Sequence, residues 1–434
     1  MTDPAPAPAP APQPLFDTHP RFLALSPGSL VFENRFVVRF LNKLEPEVPA
    51  KADYLHARDF LRAYAGWETT YKAYRIQVER LLLWRWLKQG GSVLKLTRED
   101  AEAFLGFSRE PDMEWVGQAV RRRFIAGEEP GELVPNPQWR PYEILGSKAA
   151  RKLADETGMP RQAPERYKVT ASSLKQAFTI CCSFYDFLVG QDRLLDNPFR
   201  AIEEPGRFFE TRAPSIEGKV LNPLQWAFVI ETAEWMAQQD PERHERTLFV
   251  VATLFSLYLR ISELAGRPDW HPTMQAFQQD SAGAWWYVTV GKGGKERRIS
   301  VSGELLGYLK RYRLSRKLTP LPQPGENVPL LLKLDGRGGL TDRQIRNIVQ
   351  KCFDSAVRRM QAEGRGEREV SSLRAASTYW LRHTSASYDA PHRPLRNLQV
   401  DLGHAKASTT HETYYGGVAA ERTPTGRPRR VKRR

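Results

Sequence analysis

The chain has 434 residues, 41% of them hydrophobic, and 65 basic against 50 acidic side chains leave a net charge of +15. That length accommodates two or three domains with real cores, and the positive excess points to a polyanionic partner, a phosphate backbone above all. Three cysteines with no C-x-x-C pair speak against a zinc framework, no apolar run approaches the ~18–20 residues of a membrane span, and the start lacks the basic-then-apolar pattern of a signal peptide.

From Ala5 to Pro14 the sequence alternates Ala and Pro, with Gln13 intervening. Proline removes backbone donors and favours an extended conformation, so residues 1–45 are expected to be a mostly disordered tail and lead-in. Residues 46–205 read as a helical domain. Tyr71, Tyr74, Val78, Leu81, Leu82 and Trp86 recur at helical spacing behind a Thr69 or Thr70 cap, with Lys72, Arg75, Arg80, Arg85 and Lys88 on the other faces and Gly90-Gly91 as the stop. Thr97, with Asp100 three residues on, has the form of a capping box. Leu174, Ala177, Phe178, Cys181, Tyr185 and Leu188 make a second stripe, opened by Thr170 or Ser172 and stopped by Gly190. Adjacent Cys181 and Cys182 read there as small core residues. Between these helices, 106–165 is rich in Pro and Gly, an insertion without an assigned place.

A linker is expected over 206–219 and a further domain over 220–417. Asn222-Pro223 opens a helix, Glu245 to Leu264 has a buried helical pattern, and 285–290 with 297–301 forms a β-hairpin around Gly291-Lys292-Gly293-Gly294-Lys295. More helices follow Leu340-Thr341. Residues 418–434 are a basic tail, suited to tracking phosphates.

Cleaving a phosphodiester without metal asks for an in-line nucleophile, positive charge on the non-bridging oxygens and an acid for the leaving oxygen. Arginine suits the second task because its planar fork makes two parallel bonds and stays charged. Lysine suits the third because neighbouring cations lower its pKa. Each candidate also has a plainer reading. Arg260 can pair with Glu263 three residues on; Lys292 and Lys295 can be solvated turn residues, and no Walker A spacing is present. His383 reads as a buried histidine packing its helix, His404 as a turn residue, and Tyr414-Tyr415 as a packed aromatic pair.

Their joint order tips the balance. Tyr258-Leu-Arg260-Ile-Ser-Glu263-Leu264, the Gly-Lys292-Gly-Gly-Lys295-Glu-Arg297 hairpin, Trp380-Leu-Arg382-His383-Thr384, Leu402-Gly-His404 and Thr409-Thr410-His-Glu-Thr413-Tyr414 resemble the boxes of the tyrosine recombinase (phage integrase) family. The resemblance covers 218–417 well and 50–200 loosely. It implies a mainly α fold with a small β-hairpin or sheet, arranged as a two-domain clamp: a helical core-binding domain and a mixed α/β catalytic domain.

The implied activity is site-specific DNA recombination through a 3′-phosphotyrosyl intermediate and a Holliday junction, with no cofactor, ATP or metal. The alternatives are type IB topoisomerase-like breakage and rejoining, or a catalytically inactive sequence-specific DNA-binding protein. Carried over by motif, Arg260, Arg382 and His404 hold the phosphate, Glu263 orients Arg260, and Lys292 protonates the leaving oxygen. Tyr414 is the nucleophile, with Tyr415 as its rival. Tyr379 stands where the family has a proton-accepting histidine; a phenol ionises near pH ~10 and is a poor base, though it can hydrogen-bond the phosphate or the nucleophile. Arg75, Arg85, Lys88, Lys295 and Arg297 are expected DNA contacts. The implied partners are double-stranded DNA with specific sites, a homotetramer on that DNA and accessory DNA-bending proteins, with no membrane; the implied location is the cytoplasm, on the nucleoid.

Overall fold

Two hydrophobic cores form, each around a helix that is buried on most of its faces. The computed structural model describes residues 10–45, 47–144, 146–160, 166–209, 219–265, 271–291, 294–336 and 338–415. The chain divides into two compact units, Met1–Gly146 with Gly158–Pro214, and Ser147–Thr157 with Ser215–Arg434. The mostly helical, two-unit architecture with small sheets is the one the motifs imply. Among the described residues no helix is long and apolar enough to cross a membrane.

The first unit contains helices α1 (His19–Leu23), α2 (Arg35–Leu44), α3 (Ala50–Ala63), α4 (Glu68–Leu87), α5 (Arg98–Arg109) and α7 (Ala171–Gly190), with α1, α3 and α7 packed on α4, and strands β1 (Val116–Gly117), β2 (Phe124–Ala126), β3 (Leu133–Pro135) and β4 (Tyr142–Glu143) lie between α5 and α7 in the sequence. The Thr97–Asp100 capping box and the Thr170 cap form as their spacing predicts. β2 and β3 pair antiparallel, β1 and β4 parallel.

The expectation of a tail over residues 1–45 is corrected for residues 10–45; residues 1–9 lie outside the described residues. Leu15, Phe16 and Phe22 are buried in the core, and α1 and α2 are ordered. The reason lies on α4. Glu79 is buried, and its Oε1 accepts from the backbone N–H of Leu15 at 2.6 Å and of Phe16 at 3.3 Å while pairing with Arg123. A carboxylate out of water needs such partners, and here it finds them in the N-terminal segment.

The second unit contains α6 (Lys148–Thr157), α8 (Pro223–Gln239), α9 (Pro241–Ser256), α10 (Ile261–Ala265), strands β5 (Phe277–Gln279), β6 (Trp285–Val290) and β7 (Glu296–Ser300), then α11 (Gly303–Ser315), α12 (Asp342–Ala362), α13 (Glu367–Ala375), α14 (Thr378–Asp389), α15 (Leu395–Leu402) and α16 (Ala407–Thr410). α9 is central: Thr247 to Leu254 are all buried, against α8, α11, α12 and α14. β5, β6 and β7 form one antiparallel sheet, with Val290 opposite Glu296 at the hairpin end.

Two features depart from the sequence expectation. The helix expected from Glu245 to Leu264 breaks after Ser256, because Tyr258 adopts φ +49°, a left-handed conformation that a bulky residue holds only when its surroundings impose it. The segment 106–165 is not one insertion. Its start completes α5 and supplies β1–β4, whereas α6 belongs to the second unit. There Lys148 bonds the Ala376 carbonyl, Lys152 pairs with Asp354, and Arg374 pairs with Glu156 at 3.1 Å.

Glu79→Ala should lower the unfolding free energy by about 3 kcal/mol or more, since it leaves Arg123 and two backbone amides without their acceptor. A urea midpoint unchanged from wild type would show that water replaces the carboxylate there.

Candidate active site

Glu263 is fully buried at the start of α10 and organises the arginines around it. Its Oε2 accepts the Arg260 N–H at 2.8 Å, and its Oε1 lies 3.2 Å from the Arg260 guanidinium. Arg297 on β7 makes a two-pronged pair with the same carboxylate, at 2.7 and 2.8 Å. Arg297 in turn lies against Gly403, where a Cβ would meet its guanidinium at 2.9 Å; Gly403 also has φ +62° at the end of α15. The glycine of Leu402-Gly-His404 is thus required twice, by backbone conformation and by space.

Arg382, on α14, is 2% exposed. Its guanidinium donates to the carbonyls of Tyr258 and Leu402, the latter at 2.6 Å, and one nitrogen lies 3.4 Å from His404 Nε2. The strained Tyr258 is therefore held by its carbonyl, and also by its hydroxyl, which bonds Asp389 and accepts from Arg393 at 2.8 Å. Burial, and then the neighbouring Arg260 and Arg297 charges, lower the Arg382 pKa to about 10, so it stays cationic at neutral pH.

Burial, with Arg382 and Arg260 nearby, brings His404 down to about 4, so its imidazole is neutral. A guanidinium only donates, so Nε2 carries the lone pair and Nδ1–H points to Thr410 Oγ1, 2.9 Å away. Gln399 holds the His404 carbonyl at 3.1 Å.

Tyr414 lies on a π-helical turn, His411–Tyr415, and is 6% exposed. Its ring is parallel to that of His404 within 6°, with centroids 6.4 Å apart. Burial pushes its pKa up to about 12, against the opposing pull of Arg382 and Arg260. Its hydroxyl lies 2.9 Å from His383 Nδ1. Tyr415 is used differently: its hydroxyl donates to the Arg393 carbonyl at 2.7 Å. Tyr379 is 54% exposed and stands edge-on to His383, ring centroids 4.3 Å apart.

Arg260, Glu263, Arg382, His404, Tyr414 and Tyr379 thus gather in one neighbourhood. Lys292 lies outside the described residues; Lys295, beside it, is exposed. The expectations of Arg75, Arg85 and Arg297 as DNA contacts are corrected. Arg75 is buried and donates to the Asp17 carbonyl at 3.0 Å. Arg85 donates to the carbonyls of Ser92 and Lys95 and pairs with Asp100 at 3.0 Å. Lys88 pairs with Asp112 and Glu114 at 2.6 and 2.8 Å, and Arg297 is committed to Glu263. α4 is enclosed on several sides, so Arg75 and Arg85 neutralise the fold's own oxygens instead of facing solvent, whereas Lys88, just past its end, is exposed and pairs with surface acids. Sequence reasoning missed the contact of His383 with Tyr414 and the role of Arg393 in holding Tyr258; neither has a signal in local spacing.

Glu263→Ala should cost about 3–5 kcal/mol in chemical denaturation, because it strands Arg297 as a buried unpaired cation; a loss below about 1 kcal/mol would mean that the site relaxes around it. Acid should weaken the fold as well. His383 and His404 both drop from 6.5 to about 4 on folding. The unfolded chain then binds the extra protons, so stability falls as pH drops from about 6.5 to about 4 and is fully present above that window. Melting temperature followed across this range checks the sign, and His404→Asn should flatten the slope.

No protein-family model matches the chain. In sequence it is similar to the tyrosine recombinase XerC of Pelobacter propionicus, with 27% identity over 259 residues, 59% of this chain and 72% of the relative. It is similar to that of Yersinia pestis at 27% identity over 293 residues, 67% of this chain and 81% of the relative. In fold it is similar to the XerH site-specific recombinase bound to palindromic difH substrate in a post-cleavage complex, with a TM-score of 0.52, 14% identity, and coverage of 94% of this chain and 92% of that one.

Proposed function

We propose that this chain, which is related to the tyrosine recombinases in sequence and shares their fold, is a site-specific DNA recombinase that breaks and rejoins DNA through a 3′-phosphotyrosyl link on Tyr414. The observation that supports it best is the convergence of Tyr414, Arg382, His404 and Arg260 from separate segments into one cationic pocket.

Arg260 keeps more than a third of its side chain exposed and presents a guanidinium to an incoming phosphodiester. Arg382 retains N–H groups beyond those given to the Tyr258 and Leu402 carbonyls. Together they neutralise the charge that grows on the non-bridging oxygens. A phosphate beside His404 favours a proton on Nε2 and turns that nitrogen into a donor. Tyr414 attacks phosphorus, a 3′-phosphotyrosyl bond forms, and the 5′ oxygen leaves with a proton from Lys292, the role its hairpin motif carries over. Lys295 contacts a neighbouring phosphate. The covalent link conserves the bond energy, and strand exchange proceeds through a Holliday junction in a homotetramer on specific sites, with accessory DNA-bending proteins and the cytoplasmic nucleoid as the setting.

A nicked duplex that releases its short cleaved end traps the covalent adduct, and mass spectrometry names the attached residue. Tyr414→Phe should abolish the adduct. Arg382→Ala should lower cleavage by about 10²–10³-fold or more while DNA binding persists in a mobility shift. An adduct on Tyr415, or none with wild-type protein, overturns the assignment. Recombination between two sites on one plasmid separates strand exchange from simple relaxation. Tyr379→His should leave the cleavage rate equal or raise it; a large loss would give the phenol a role of its own.

A further inference from the structure

We propose that His383 is the proton acceptor for the Tyr414 hydroxyl, in place of the residue at position 379. The inference rests on the recombinase reading. Position 379, where the resemblance places an accepting histidine, is a half-exposed tyrosine. One helical turn further along α14, an imidazole stands within hydrogen-bond reach of the nucleophile: His383 Nδ1 is 2.9 Å from Tyr414 Oη. Residues i and i+4 share a helix face, so His383 stands on the same side of α14 as position 379, and the Tyr379 ring stands edge-on beside it.

His383 is buried, and the groups facing it are Arg382, Lys219, His404, Tyr379 and Tyr414. Burial and the two cations hold its pKa near 4, so at neutral pH the ring is uncharged and Nδ1 can accept. The phenol, pushed to about 12, keeps its proton until attack begins. As the Tyr414 Oη–P bond forms, the oxygen becomes acidic and the proton passes to Nδ1; the P–O5′ bond breaks, and the leaving oxygen takes a proton from the acid assigned to Lys292. On rejoining, the imidazolium returns its proton to the phenol oxygen.

The test is single-turnover cleavage of the trapping duplex between about pH 6 and 9. His383→Asn keeps a polar group near the Nδ1 position but takes no proton; His383→Ala removes both, and mobility shifts confirm that each variant still binds DNA. The Asn variant should be about 10²-fold slower or more at neutral pH, its rate rising about tenfold per pH unit where wild type is flat. Added imidazole should accelerate the Ala variant. A wild-type rate in His383→Asn, or a pH-independent loss that imidazole does not relieve, overturns the inference and leaves the recombinase reading standing. If wild type forms no adduct at all, the recombinase reading falls and takes this one with it.

Discussion

One buried carboxylate governs the geometry of the second unit. Glu263 sits out of water with Arg297 across both its oxygens and Arg260 on its edge. A charge in that position is tolerated only when fully paired, so the carboxylate fixes where the chain after α9, the hairpin strand β7 and, through Gly403, the end of α15 must lie. Arg382 repeats the device with carbonyls, tying the Tyr258 turn to Leu402. The outcome is a set of cations packed closer than their mutual repulsion favours, held around the Glu263 carboxylate. A site so arranged holds its dipoles and charges in place before any anion arrives, which is where electrostatic catalysis draws its strength.

The short boxes were legible because each is a local demand. A glycine at a left-handed helix end, an arginine with an acid three residues on, and a histidine beside that glycine are constraints of one turn of chain, and reading them in order recovers the cluster. Spacing favours Tyr414 over Tyr415, and in the structure their hydroxyls go to different partners, His383 for one and the Arg393 carbonyl for the other. What failed were inferences from charge periodicity. Arg75 and Arg85 sit at positions a helical wheel calls solvent-facing, yet each satisfies oxygens from outside the helix. The wheel cannot know that Asp17 or Ser92 will come to cover that face.

The N-terminal misreading has the same origin. Ala/Pro alternation describes a local preference for extended backbone, and extended backbone is what lets Leu15 and Phe16 offer their amides to Glu79. Composition therefore says how the segment is shaped, not whether it is bound. The break after α9 was equally hidden. Apolar residues run on past Ser256 without interruption, and only the long-range anchoring of Tyr258 by Asp389, Arg393 and Arg382 sustains its backbone.

Helix α6 gives the chain an interleaved layout: the polypeptide contributes Ser147–Thr157 to the second unit before the first is finished. Arg374 is almost entirely enclosed and shares its charge between Glu367 and Glu156, the second of which rides on α6. A fragment cut at the obvious boundary near 215 would discard that helix, removing one of the two acids from Arg374 and uncovering the Ala376 carbonyl just ahead of α14. The two units are therefore not beads that a protease or a cloning junction can separate cleanly, and the stretch that looks most dispensable in the sequence is part of the scaffold behind α14.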